Sequence, residues 1–119
     1  MRRVALAAVV LAGCVAGPWH PPAGVGDLAG EWRGRWLGTA GHAMAALSIA
    51  PEGAYSLTMF LDGGDRVATG TVTALPSGRV RYQGGEGNGD VRVETGSGSP
   101  MLRFVPDGGG GGGAFRRAP

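Results

Sequence analysis

One cysteine, no lysine, two histidines and no apolar run of membrane-spanning length narrow the reading of this 119-residue chain before any motif is considered. The lone Cys14 excludes an internal disulfide. Every apolar run stops well short of the ~20 residues that cross a bilayer as a helix. Basic charge is confined to 11 arginines, set against 9 acids. Arg2 and Arg3 lie in a segment read below as removed, which leaves nine arginines against nine acids and a side-chain charge of zero. Nucleic-acid binders displace counterions from phosphates with a basic face, so the pI of about 9.3 is no sign of one.

Catalytic and metal-binding constellations are missing as well. His42 is the body's one histidine and sits beside Gly41 in a turn, with no serine elbow, so no hydrolase triad can be assembled. His20 has no second ligand near it. Asp62-Gly63-Gly64-Asp65 supplies two carboxylates where calcium takes about six to eight oxygens, and it reads as a hairpin turn. Glu86 lies within, and Asp90 directly after, a glycine-rich stretch, residues 84–89, that lacks the Lys-Ser/Thr pair of a phosphate loop. No catalytic residue, cofactor site or metal site is expected.

What the chain does have begins at its start. Arg2 and Arg3 precede an apolar run over residues 4–12, and small residues then lead to Cys14, the pattern of an export signal. Leu11-Ala12-Gly13-Cys14 resembles the bacterial lipobox. That resemblance implies a diacylglycerol on the Cys14 thiol, cleavage before Cys14 and acylation of the freed amine. Two or three acyl chains anchor far better than one, because each buried CH₂ contributes about 0.8 kcal/mol. Val15 stands where, in Gram-negative lipoproteins, an Asp retains the protein at the inner membrane, so in a Gram-negative envelope the resemblance favours the periplasmic face of the outer membrane. A signal helix is expected over about residues 3–13.

The organisation expected is a signal peptide over residues 1–13, a lipidated cysteine and Pro/Gly-rich tether over 14–26, and one domain over 27–119. The tether carries three prolines and three glycines without period and reaches on the order of 35 Å if extended. Trp19 within it suits a membrane interface.

Seven clusters of turn residues divide the body: residues 38–41, 51–53, 62–65, 76–78, 84–89, 96–100 and 106–113. Proline presets φ at the first corner position and glycine supplies positive φ. Seven turns separate eight strands. Apolar residues alternate between the turns: Leu28, Trp32, Trp36; Ala45, Leu47, Ile49; Tyr55, Leu57, Met59, Leu61; Val80, Tyr82; Val91, Val93; Leu102, Phe104. Arg33, Arg35, Arg79, Arg81, Arg92 and Arg103 take the opposite parity. Short loops make successive strands antiparallel neighbours, so an all-β up-and-down meander is expected. It closes into a small barrel if residues 114–117 return as the eighth strand beyond the six glycines of 108–113, and otherwise stays open.

Gly30-Glu31-Trp32 resembles the Gly-x-Trp that opens the first strand of lipocalins, avidins and other calycin-type barrels, including small bacterial protease-inhibitor domains. The resemblance implies that Trp32 closes the barrel base, with Arg116 or Arg117 stacked across its indole. The cysteine pair and second motif of lipocalins and the biotin-holding residues of avidins have no match, so the resemblance carries over architecture and no ligand residue.

An eight-stranded lumen is only just wide enough for its own side chains or one small ligand. Trp32, Trp36, Tyr55, Leu57, Met59, Tyr82 and Phe104 would fill much of it. Two functions are therefore expected in order. The first is a non-enzymatic, membrane-anchored envelope scaffold that binds another protein through its loops, as an inhibitor does. The alternative is a calycin-type carrier of a small hydrophobic ligand.

Overall fold

Alternating apolar and polar residues become alternating inward and outward side chains, and each Pro/Gly cluster reverses the chain. A computed structural model describes residues 19–20, 24–38, 41–95 and 98–119. The signal helix expected over residues 3–13 and the lipobox lie outside these. Nine strands are present among the described residues: β1 (Trp19–His20), β2 (Gly30–Gly38), β3 (Gly41–Ile49), β4 (Ala54–Leu61), β5 (Gly64–Ala74), β6 (Val80–Gly84), β7 (Gly87–Glu94), β8 (Met101–Pro106) and β9 (Gly112–Arg117). A 3-10 turn at Val25–Leu28 is their only helical element.

Strands β2 to β9 pair antiparallel in chain order, and β9 returns to β2, from Leu37↔Gly112 to Trp32↔Arg117. The all-β meander is thus a closed eight-stranded barrel, and closure removes the sheet edges that would otherwise invite aggregation. The eighth strand starts two residues earlier than expected. Gly112 and Gly113 belong to it, paired with Leu37 and Trp36, so part of the glycine run is strand and not loop. Two further differences concern the start. Asp27 and Leu28 lie in the 3-10 turn and not in the first strand, and Leu28 folds under the barrel. Trp19 and His20, expected in an irregular tether, pair with Glu94 and Val93 of β7 beyond the point where β6 has ended.

The longest strand, β5, lacks an obvious apolar alternation because Gly70 and a series of threonines interrupt it. Its inward residues are Ala68 and Val72. Small inward residues here follow from the narrow lumen. Side chains on Gly70 and Gly84 would collide with Tyr55, one on Gly89 with Tyr82, and one on Gly113 with Trp36 and Phe115. Large rings therefore sit opposite positions with no side chain, which is how an eight-stranded barrel accommodates this many aromatics.

Candidate functional site

The barrel has a base, a lumen, a mouth and an outer wall, each shaped by its own set of residues. At the base, the 3-10 turn brings the Leu28 carbonyl within 2.9 Å of Trp32 Nε1, whose N–H donates to it. Arg117 arrives on β9 and lies over the same indole, 4.3 Å from the ring centroid. Its guanidinium also donates to the carbonyls of Ala29 and Asp27. Arg116, one residue earlier, faces outward and donates to the Ser99 carbonyl at 2.6 Å. Turn, tryptophan and arginine thus form a latch that seals this end. Gly34 lies on the same face of β2 as Trp32. A side chain there would collide with the Ala114 carbonyl of β9, so this glycine permits the close approach of the closing strands.

The lumen is filled by its own side chains. Trp32, Trp36, Tyr55, Leu57, Met59, Tyr82 and Phe104 are all buried, none more than 4% exposed. Phe104 is the hub. Tyr82 stacks on it at 4.5 Å between centroids, and Tyr55, Phe115 and Trp36 meet it edge-on at 5.6, 5.9 and 6.1 Å. Such edge and offset contacts suit the ring quadrupoles. Phe115, absent from the sequence-derived lumen list, is 1% exposed. Burial pushes the Tyr55 hydroxyl up to about 12, with Glu86 adding to the effect. Burial, then the neighbouring Tyr55, does the same to Tyr82, also to about 12.

At the mouth, a cavity of about 480 Å³ is lined by Trp36, Leu37, Gly38, Glu86, Pro106, Gly110, Gly111 and Gly112. Trp36 alone of the expected lumen residues reaches it. Its Nε1 is buried and has no hydrogen-bond partner among the described residues. Glu86 is 8% exposed at its side chain and pairs through Oε2 with Arg66 at 2.9 Å. The sequence reading set Glu86 aside as a loop acid. Only the fold carries it to the lip beside Trp36.

Comparison with known protein families, curated proteins and solved structures gave no match.

The outer wall of β2 to β5 carries exposed large apolar side chains. Met44 on β3 and Phe60 on β4 are directly paired, and Phe60 is paired in turn with Asp65, two residues before Val67 on β5. Met44 is 58%, Phe60 47% and Val67 61% exposed. Leu37, 40% exposed, adjoins this group from β2. Across from Met44 and Ala46 stand Arg35 and Arg33, exposed and without an acidic partner among the described residues. The opposite wall is different in kind. Arg81 bridges Asp90 at 2.9 Å and Asp107, while Arg79 holds Asp90 at 2.8 Å. These arginines hold Asp107, and Asp90 despite its partial burial, below the usual carboxylate range. Its charges are mutually satisfied, which reads as structure. Among the described residues, no three His, Cys, Asp or Glu side chains converge as a metal site.

Proposed function

We propose that this chain is a non-enzymatic, lipid-anchored envelope protein whose barrel presents a docking face to a protein partner. One observation carries the reading. The lumen is packed with its own rings, while Met44, Phe60 and Val67 stand together in water on the outside. Exposed apolar clusters of this kind mark interaction surfaces, because covering them releases the free energy of hydrating them. Arg33 and Arg35 flank the cluster with positive charge that has no acidic partner among the described residues, so the partner's matching surface is apolar and edged with carboxylates. This reading puts the contact on strand faces, where the sequence expectation had loops. The anchor rests on Leu11-Ala12-Gly13-Cys14, and Val15 favours the outer membrane. A carrier of small hydrophobic molecules needs a free lumen, and the rings around Phe104 occupy that space.

The test is a photo-crosslinking residue placed at Phe60 or, on the far wall, at Gln83, in intact cells. One protein captured from position 60, absent from position 83 and lost on Arg35→Glu, supports the face. Equal capture from both positions, or none above background, refutes it.

A further inference from the structure

We propose that the barrel mouth is a second, independent site, which binds a small ring-bearing alcohol. A buried indole N–H and a carboxylate oxygen of a largely buried side chain face the same notch there. A methyl group on Gly38 would lie 3.0 Å from Trp36 Nε1 and 3.1 Å from Glu86 Oε1, so the missing side chain leaves open the space between them. Among the described residues Nε1–H is a donor that lacks an acceptor, and burying such a group unpaired is costly. Glu86 spends Oε2 on Arg66 and presents Oε1 to the notch as an acceptor. A ligand group must therefore accept from the indole and donate to the carboxylate. A carboxylate ligand cannot donate and is repelled by Glu86, an ammonium cannot accept, and an ether or ketone cannot donate. A hydroxyl does both with one atom. Leu37, Pro106 and the Trp36 ring supply apolar contact for its carbon skeleton, and Gly110, Gly111 and Gly112 leave the entrance without side chains. The volume of about 480 Å³ lies within the ~300–1,000 Å³ of small-molecule sites.

The probe is 2-naphthol, titrated into the full isotope-labelled chain while the tryptophan indole N–H signals are followed by NMR. Its methyl ether, 2-methoxynaphthalene, keeps the rings and the acceptor but loses the donor. Binding of 2-naphthol moves the Trp36 signal downfield to saturation and leaves Trp32, already bonded to Leu28, in place. The ether binds at least about tenfold more weakly, as does 2-naphthol to Glu86→Gln or Trp36→Phe. Gly38→Ala fills the notch and abolishes binding while its melting transition persists. Equal binding of naphthol and ether, an unmoved Trp36 signal, or undiminished binding to folded Gly38→Ala overturns the proposal. So does a water on Nε1 that 2-naphthol fails to displace. Should Gly38→Ala not fold, the comparison of the two probes on the unaltered chain decides alone.

Discussion

Replacing Trp32 by alanine removes the centre of the latch at the barrel base. Trp32 is 4% exposed, and truncating a buried tryptophan costs about 3–5 kcal/mol in lost transfer energy and residual cavity. The Leu28 carbonyl loses its only side-chain donor among the described residues, a further ~1 kcal/mol or more for a buried acceptor left unpaired. Arg117 is exposed, so its contact with the indole face is worth only about 0.5–1 kcal/mol. The total is comparable with the ~5 kcal/mol at the low end of domain stabilities, where a barrel this small belongs. Trp32→Ala is therefore expected to show no folded baseline in urea unfolding followed by Trp36 fluorescence. Trp32→Phe, which keeps a ring and loses the N–H, should fold with stability reduced by about 2 kcal/mol. A double-mutant cycle between Trp32→Phe and Arg117→Ala should return a coupling below about 1 kcal/mol. A Trp32→Ala protein that melts within about a degree or two of the parent would show that the base is held by something else, and the latch would be discarded.

Three other outcomes follow from the sequence and the geometry. Cys14→Ser should leave an uncut precursor without lipid label in cells, and processing at another site with membrane retention unchanged would remove the anchor from the proposed function. Gly34→Ala should cost several kcal/mol or unfold the barrel, because the added methyl meets the Ala114 carbonyl across the closing β2–β9 pair; Gly63→Ala, with nothing near its methyl, should stay within about 0.5 kcal/mol of the parent in the same denaturation assay. Tyr55 and Tyr82 are raised to about 12 in the folded barrel, so the unfolded chain ionises them first, near 10. Their contribution to stability is intact below pH 10 and is lost as pH rises towards 12. Tyrosinate absorbance and loss of near-ultraviolet dichroism should then rise together, whereas a tyrosine that titrates near pH 10 in a folded barrel would contradict its burial.

The eight barrel strands, their directions and, outside β5, the inward parity were legible in the chain because each rests on near neighbours. Pro and Gly clusters set the reversals, and a period of two sorts side chains to two faces whatever lies beyond them. Trp32, Tyr55, Leu57 and Phe104 could be placed inside on that ground alone. What the sequence could not decide was every relation between residues far apart in it. Closure needed Gly112 and Gly113 to pair with Leu37 and Trp36, and a run of six glycines has no side-chain pattern to announce a strand. Glu86 and Trp36 are 50 positions apart by residue number, and only the shear of a closed barrel sets both at one lip. The outer cluster of Met44, Phe60 and Val67 was hidden for the converse reason. Each is an isolated apolar residue on the polar parity of its own strand, unremarkable in one dimension, and strand register alone puts the three side by side in water.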